Sequence, residues 1–179
     1  KGLMSQKICD TKIKISEKFP QNHLKSIELN YRLSPYYSDY IDAIKEVYLD
    51  SIEHQSLSKL NTQLIIIISK ILGIQSDIQF ASDLEVLGNK SELLISICKI
   101  IKADRYVSTK GATEYLINDK NKFLNNKIKL DILNYEHPEY NQRFNNFQQN
   151  AGILDLLFNE GPNSLKIIRS GRGTITKII

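Results

Sequence analysis

Residues 88–99 read Gly-Asn-Lys-Ser-Glu-Leu-Leu-Ile-Ser-Ile-Cys-Lys, and residues 103–116 read Ala-Asp-Arg-Tyr-Val-Ser-Thr-Lys-Gly-Ala-Thr-Glu-Tyr-Leu. Their pattern predicts a helix over 90–102, a short strand over 105–108 and a helix over 111–117. The polar loop Ser-Thr-Lys-Gly therefore leaves a strand and opens a helix. In an open α/β sheet such a junction binds ligands, because backbone N–H groups and the helix dipole point into it.

The segment 20–72 has the spacing of apolar residues that is typical of amphipathic helices. The last of its helices begins after Ser56, a suitable N-cap, and stops at Gly73. Its run Ile65–Ile68 is apolar on every side, so this helix is expected to be deeply buried. Three helices are predicted in this segment. The first begins at Pro20 and ends at Ser34-Pro35, the second covers Asp39–Ile52 and the third covers Ser56–Leu72.

Three other segments have the shorter rhythm of β-strands. Thr11–Glu17 and Lys127–Tyr135 alternate apolar and polar residues, and the latter is expected at an edge of the sheet. Asp77–Ala81 predicts a further short strand. Because strands alternate with helices after residue 77, the sequence predicts an α/β fold. A helical amino-terminal portion is expected to pack on a small, mostly parallel sheet with crossover helices.

The rest of the chain completes the predicted domain. A half-turn of helix at 122–124 and two helices at 153–159 and 162–169 are expected, and the tail Ser170–Ile179 is expected to be loosely held. No linker rich in Pro, Gly or Ser separates the helical part, 20–72, from the α/β part, 77–169. Residues 1–179 are therefore predicted to form a single domain.

The composition is that of a globular protein. The chain has 179 residues, of which 41% are hydrophobic and 25% charged. The formal charge of +4 permits an anionic ligand such as a nucleotide sugar or a phosphate. The small basic stretch at Lys12, Lys14 and Lys18 has little aromatic interleaving, so nucleic acid is not an expected partner.

Membrane insertion and metal binding are not expected. The run Leu64–Leu72 is interrupted by Lys70 and falls far short of the roughly 20 residues that span a bilayer. The start of the chain lacks the apolar core of a signal peptide, and Cys9 and Cys98 form no paired motif, which favours a cytoplasmic location. The histidines are scattered, so no metal site and no cofactor are predicted. The oligomeric state stays open.

The best candidate for a site is the carboxyl edge of the predicted sheet. The three strands expected there end in Ser82-Asp83, in Ser108-Thr109-Lys110-Gly111 and in Glu136-His137. Hydroxyls, an ammonium group and a helix start suit phosphate or carboxylate. A histidine at a strand end can act as a general base near neutral pH. The alternative is a capped helix, a solvated lysine and a turn histidine that hydrogen-bonds the backbone.

Two residues outside these loops are further candidates. Lys90 stands close to the same edge, at the start of a helix for which Ser91 is the expected N-cap; the alternative is simple capping and solvation. Asp155 lies in an otherwise apolar helical turn, where a carboxylate needs a partner or a proton. It either orients His137, or binds a ligand amine, or matches the helix dipole.

Four stretches match family motifs in order. Residues 88–99 fit G-x-K-[ST]-E-x-L-x-x-I-C-K, and residues 108–116 fit S-x-x-G-A-x-x-Y-L. Residues 135–140 fit Y-x-H-P-x-Y, and residues 153–162 fit [IL]-[IL]-D-L-L-F-N-x-G-P. In these stretches the chain, over about 20–169, resembles the WbqC-like family of bacterial polysaccharide-cluster proteins. Many members have a proline where Lys110 stands.

The resemblance implies a role in O-antigen or surface-polysaccharide biosynthesis, with a sugar or nucleotide sugar as the small-molecule substrate. It suggests a transferase that attaches an aminoacyl group such as glycine. In that reading the loop 108–111 holds an anionic donor, His137 deprotonates the attacking group and Asp155 orients it. The alternative is a non-catalytic protein that binds a nucleotide sugar or a partner. Members also carry an aromatic-rich amino-terminal segment that this sequence lacks, so a fragment or a short variant is expected.

Overall fold

The computed structural model describes residues 6–15, 18–144 and 146–179. Two compact units are seen, one ending at Asp77 and resuming over Glu139–Ile167, the other made of Ile78–Pro138 and Ile168–Ile179. The fold is α/β, as predicted. In chain order the elements are α1 (Gln21–Tyr31), α2 (Tyr37–His54), α3 (Leu57–Ile71), α4 (Ser91–Ile100), β1 (Arg105–Thr109), α5 (Thr113–Asn118), α6 (Lys120–Asn125), β2 (Lys129–Tyr135), α7 (Ile153–Glu160), α8 (Ser164–Ser170) and β3 (Arg172–Lys177).

The first unit contains the predicted amino-terminal helices. Tyr37, Ile41 and Ile44 of α2 are buried and form a core with Phe158 of α7. This placement follows from the helical spacing of the apolar residues in α2, which puts them on one side.

Both ends of α3 agree with the sequence. The Ser56 hydroxyl accepts a hydrogen bond from the Lys59 N–H at 3.3 Å, as an N-cap does. Gly73 follows the helix with φ of +69°, a conformation that suits glycine.

The expected deep burial of α3 is wrong. Leu60 is buried, but Ile65 is 57% exposed and Ile66 is 48% exposed. The elements that contact α3 most within its unit are α2 and the single 3-10 turn Ile8–Asp10. These cover one side of the helix and leave an apolar surface on the other.

The expected strand Thr11–Glu17 is also wrong. Its described residues form only an isolated bridge between Lys12 and Ser56, and Ser16 and Glu17 lie outside the described residues. The Ile13 N–H donates to the Gln55 carbonyl at 2.8 Å, so the segment is attached to the α2–α3 junction. Alternation of apolar and polar residues does not make a strand here, because Ser56 supplies only a single bridge to the described part of the segment.

The second unit contains a mixed three-stranded sheet in the order β1-β2-β3. β1 and β2 are parallel, from Arg105 opposite Lys129 to Thr109 opposite Leu133. β2 and β3 are antiparallel. β2 is therefore the central strand and not an edge strand.

The tail predicted to be loose is the strand β3. The Asn134 amide donates to the Thr174 carbonyl at 2.7 Å and to the Thr176 hydroxyl at 2.9 Å, which adds side-chain bonds to the ladder. Every residue of β3 is exposed, so backbone pairing holds the strand itself, while Ile178 and Ile179 after it pack against the core of the second unit.

The strand predicted over Asp77–Ala81 is absent from the structure. The segment is irregular and leads into a single 3-10 turn, Ala81–Asp83. Ile78 and Phe80 are exposed. Two exposed apolar residues in alternation do not form a strand unless another strand supplies hydrogen bonds.

One face of the sheet is covered by helices. Leu130 and Ile132 of β2 pack in a core that includes Cys98, Leu116 and Phe123 from α4, α5 and α6. Burial raises the pKa of the Cys98 thiol, as expected for a cysteine that serves as a small apolar core residue.

An ion pair joins the two parallel strands on the other face. The Arg105 guanidinium contacts the Asp131 carboxylate at 2.9 Å; Asp131 is 2% exposed and Arg105 is 43% exposed. A buried carboxylate that loses its partner is strongly destabilising, because its desolvation is no longer compensated.

We expect Arg105→Ala to lower the free energy of unfolding by about 2–3 kcal/mol, measured by urea denaturation. Arg105→Lys, which keeps the positive charge, is the matched control and should lose less than half as much. An unchanged unfolding midpoint in Arg105→Ala would show that the ion pair does not stabilise the sheet.

Candidate functional site

The carboxyl ends of β1 and β2 lie side by side in the second unit. The two strands are parallel and Thr109 is opposite Leu133, so the loop after β1 and the segment after β2 leave the same edge. Ser108, Thr109, Lys110 and Gly111 lie at this edge, and His137 follows two residues after the end of β2.

Asp83 has a different setting from the one predicted. It ends the turn Ala81–Asp83, it is exposed, and its carboxylate accepts a hydrogen bond from the Ser82 hydroxyl at 3.2 Å. Because no strand precedes it, the sheet does not bring Asp83 to the carboxyl edge.

The loop after β1 presents fewer groups than the sequence suggests. Ser108 shares the helix-covered face with Tyr106, whereas Thr109 is on the opposite face and is exposed. Lys110 is exposed and has no ion-pair partner among the described residues. The space around Gly111 is open.

The expected helix dipole at this loop is weak. Lys110–Ala112 form a 3-10 turn, and α5 follows as a helix of six residues. The Lys110 ammonium group and the Thr109 hydroxyl are therefore the groups at this loop that are chemically suited to an anion.

His137 follows β2 and is half-buried. Its ring meets Tyr135 edge-on, with 6.0 Å between ring centroids. Its Nδ1 atom is buried and has no hydrogen-bond partner among the described residues. The expected alternative, a turn histidine that bonds the backbone, is not seen at this nitrogen. Buried polar atoms without partners are rare in proteins.

Gly171 fixes the backbone that carries His137. Its carbonyl accepts the Glu136 N–H at 2.9 Å. A Cβ at Gly171 would lie 2.8 Å from the Tyr135 ring and 2.9 Å from Pro138 Cδ. Such distances are too short for packed carbon atoms, so only glycine allows β3 to begin this close to the Tyr-Glu-His-Pro segment.

Lys90 precedes α4 with φ of +49° and is exposed. Lys90, not Ser91, occupies the N-cap position, and no side chain caps the helix. Ser91 is buried beside Asp119 and, ahead of Lys122, lowers the pKa of that carboxyl, although the Ser91 hydroxyl makes no hydrogen bond of ordinary geometry in the described part of the chain. Lys122 also contacts Glu92 at 3.6 Å. Residues 88–92 thus attach the start of α4 to α6.

Asp155 belongs to the first unit, where it joins two of the family-like motifs. Its carboxylate accepts hydrogen bonds from the Tyr140 hydroxyl at 2.7 Å and from the Gln142 amide at 2.9 Å. The Asn159 amide donates to its backbone carbonyl at 2.8 Å. Tyr140 is therefore the main hydrogen-bond partner of the Asp155 carboxylate.

Two tyrosines share this carboxylate environment. Burial, together with the hydrogen bond to Asp155, raises the pKa of Tyr140 far above its ordinary value. Burial, followed by the charge of Asp155, also raises the pKa of Tyr31. Both phenols stay protonated at neutral pH and serve as neutral hydrogen-bond donors.

A polar cavity of about 380 Å³ adjoins this network in the first unit. Tyr140 and Phe147 contribute aromatic rings that meet edge-on, and Glu139 and Glu160 contribute carboxylates. Sequence reasoning gave Tyr140 no role, although Tyr140 and Asp155 each occupy a fixed position of a family-like motif. The available signal was that each of these motifs contains a polar residue able to hydrogen-bond the other.

Several residues of the family-like motifs have a structural role in packing. Phe158, Cys98 and Leu116 are core residues. Gly161 has φ of +49°, and a Cβ there would collide with the Tyr36 ring. His137 and Ser91 differ from these residues, because each has a buried polar atom without a hydrogen-bond partner among the described residues.

These features define a small α/β protein with a polar sheet edge and a separate carboxylate–tyrosine network. The chain belongs to the WbqC-like protein family, whose model matches residues 1–167. It is also 31% identical over 170 residues to the uncharacterized protein Rv1507c of Mycobacterium tuberculosis, a match that covers 94% of this chain and 72% of that protein. No solved structure matches significantly.

Two features are absent from the described residues. None of the helices there is both long and apolar enough to cross a bilayer. No group of three or more His, Cys, Asp or Glu side chains in the same part of the chain is arranged to hold a metal ion.

We expect Tyr140→Phe to lower the free energy of unfolding by about 1–2 kcal/mol, because Asp155 loses its shortest hydrogen bond while Gln142 stays. Thermal and urea unfolding measure this loss. Tyr115→Phe, which removes an exposed hydroxyl, is the control and should be neutral. Equal effects of the two variants would contradict a stabilising role for the Tyr140–Asp155 bond.

The raised pKa of Tyr140 predicts a pH dependence. Above about pH 10 the unfolded state ionises this phenol while the folded state keeps it neutral, so stability is lost as pH rises. The difference in unfolding free energy between the wild type and Tyr140→Phe should shrink by about 1.4 kcal/mol per pH unit above that point. Urea denaturation of both proteins at several pH values between about pH 8 and pH 11 measures this change. A difference in unfolding free energy that stays constant over this range would exclude a raised pKa of Tyr140.

Proposed function

We propose that the chain is a transferase that modifies a sugar intermediate of O-antigen or surface-polysaccharide biosynthesis, with an aminoacyl group such as glycine as the group transferred. The observation that carries this proposal is the unpartnered, buried Nδ1 of His137 at the carboxyl edge of the sheet. Histidine is the side chain most often used for proton transfer near neutral pH. Membership in the WbqC-like family supports the polysaccharide context.

In the proposed reaction a hydroxyl or amine of the sugar attacks the carbonyl carbon of an aminoacyl donor. A bond forms between the attacking atom and that carbon, while the bond from the carbon to the leaving group breaks. His137 takes the proton from the attacking atom. The leaving group departs with the electron pair of the broken bond and receives the proton from His137, which ends the cycle neutral.

The loop after β1 supplies the proposed donor site. Lys110 provides an exposed ammonium group and Thr109 an exposed hydroxyl beside it, and both suit an anionic donor. Gly111 leaves room for close approach of the ligand to the backbone. Ser108 lies on the helix-covered face, so we assign it to support of the loop and not to direct contact with the donor.

The carboxylate–tyrosine network of the first unit is proposed as a sugar-binding surface in its own right, and no step of the transfer reaction is assigned to it. Sugars present many hydroxyls and apolar C–H faces. The Glu139 and Glu160 carboxylates can accept hydrogen bonds from hydroxyls, and the Tyr140 and Phe147 rings offer apolar faces. Asp155 is a positioning residue in this account, because its carboxylate is already occupied by protein donors.

A non-catalytic sugar-binding protein is the second candidate. The observation in its favour is the Asp155 network, in which a satisfied carboxylate and a phenol of raised pKa are suited to binding rather than to proton transfer. Ligand binding without turnover in the wild type would favour this candidate.

We expect His137→Ala to abolish transfer of glycine from an activated glycyl donor to an amino sugar linked to a nucleoside diphosphate, detected by mass spectrometry of the product. His137→Asn keeps a polar atom near the Nδ1 position but cannot relay a proton, so it should also be inactive. Both variants should keep the thermal midpoint of the wild type within a few degrees. His23→Ala, which removes an exposed histidine of α1, is the control and should be fully active.

A transfer rate in His137→Asn equal to that of the wild type would exclude the general-base role. A collapse of the thermal midpoint in both variants would instead assign His137 to the structure.

A further inference from the structure

The first unit carries a groove unrelated to the features above. It lies between α2 and α3 and encloses about 850 Å³. Its walls come from the outward side of α2 and from Gln63, Ile66 and Ile67 of α3.

The floor of the groove is apolar and open to solvent. Leu49 is 52% exposed and Ile66, across the groove on α3, is 48% exposed. Val47 and Ile67 line the same space. Single exposed apolar residues are ordinary, but a contiguous patch with a polar rim is typical of an interaction surface.

One rim of the groove is strongly acidic. Asp42, Glu46, Asp50 and Glu53 follow each other on α2 at spacings of four, four and three residues, which places them along one stripe of the helix. The only base that lines the groove in the described part of the chain is Lys45, which is paired with Asp42 at 3.6 Å. This concentration of negative charge is opposite in sign to the net charge of +4.

Hydrogen bonds hold the two walls at a fixed separation. The Gln63 amide of α3 donates to the Asp50 carboxylate of α2 at 2.7 Å. The His54 ring lies 3.2 Å from the Gln63 amide oxygen, and its Nδ1 accepts the Ser56 N–H at 3.0 Å. A groove that is rigid before binding loses little conformational entropy when a partner docks.

We propose that this groove is the docking site for a basic amphipathic helix of a partner protein. The acidic stripe from Asp42 to Glu53 extends about 16 Å along α2, which matches three turns of a helix. Such a helix would place apolar anchors at i, i+3 or i+4, and i+7 on the floor. Its Lys and Arg side chains would face the acidic rim, which gives orientation and a fast association rate.

A second copy of this chain is a poorer occupant. A two-fold contact through the groove would bring the two acidic stripes together, and like charges at an interface are repelled. The proposal is independent of the transferase proposal, because it uses none of the residues assigned to catalysis or sugar binding.

The test uses the whole chain and a fluorescent synthetic helix of about three to four turns, with Leu at i, i+3, i+4 and i+7 and Lys elsewhere. Fluorescence anisotropy measures its dissociation constant, and a peptide of the same composition in scrambled order is the control for non-specific charge attraction. We expect the amphipathic peptide to bind at least about tenfold tighter than the scrambled one, which corresponds to 1.4 kcal/mol.

Three variants locate the binding surface. Ile66→Ser and the double variant Glu46→Lys/Glu53→Lys should each weaken binding at least about tenfold. Glu114→Lys, which reverses the charge of an exposed residue of α5 in the other unit, should leave the affinity for the peptide unchanged. Thermal unfolding checks that each variant is folded, and hydrogen exchange should show slower exchange over 42–67 when the amphipathic peptide is bound.

Equal binding of both peptides, or equal affinities in the groove variants and the wild type, would overturn the proposal. Concentration-dependent dimerisation that Ile66→Ser abolishes, measured by sedimentation velocity, would also overturn it and assign the groove to a second copy of the chain.

Discussion

Hydrogen bonding of β2 on both of its sides is the constraint on which the second unit depends. β1 pairs with it in parallel and β3 in antiparallel orientation, so its backbone is fixed from Lys129 to Tyr135. The segment that follows, with His137, inherits this position because the Glu136 N–H bonds to Gly171 at the start of β3. The carboxyl-terminal strand is therefore part of the proposed site's framework although it supplies no reactive group.

Asp155 and His137 differ in whether their polar atoms have hydrogen-bond partners. In the first unit, Asp155 is satisfied by Tyr140 and Gln142, so the network is rigid and its phenol stays protonated. In the second unit, the His137 ring nitrogen is left without a partner. Satisfied networks stabilise and position, whereas a buried nitrogen without a partner is rare in proteins and calls for an explanation.

The sequence predicted the elements whose stability is local. The helices α1–α3 were visible in the apolar spacing, and Ser56 and Gly73 marked the ends of α3 because capping depends on neighbouring residues. β1, β2 and their shared carboxyl edge were also predicted. The errors concern non-local partners: the strand over 77–81 has no neighbour to pair with, and β3 pairs with residues about forty positions away.

The site was predicted in part for the same reason. The loop after β1 and His137 share an edge because parallel pairing of two predicted strands requires it. The bond between Tyr140 and Asp155 depends on how a loop returns to a helix, which periodicity does not encode. The exposure of Ile66 was missed as well, since an apolar run gives no information on how many neighbours cover it.

The most direct test of the proposed ligand site is a thermal-shift titration of the whole chain with nucleotide sugars, repeated on Lys110→Ala. At about 100 times its dissociation constant, a ligand of the folded state adds about 2.7 kcal/mol of stability. The account predicts that a nucleotide sugar raises the melting temperature of the wild type, that Lys110→Ala loses most of this shift, and that Lys120→Ala on α6 keeps it. A shift of equal size in all three proteins would contradict a ligand site at the carboxyl edge of the sheet.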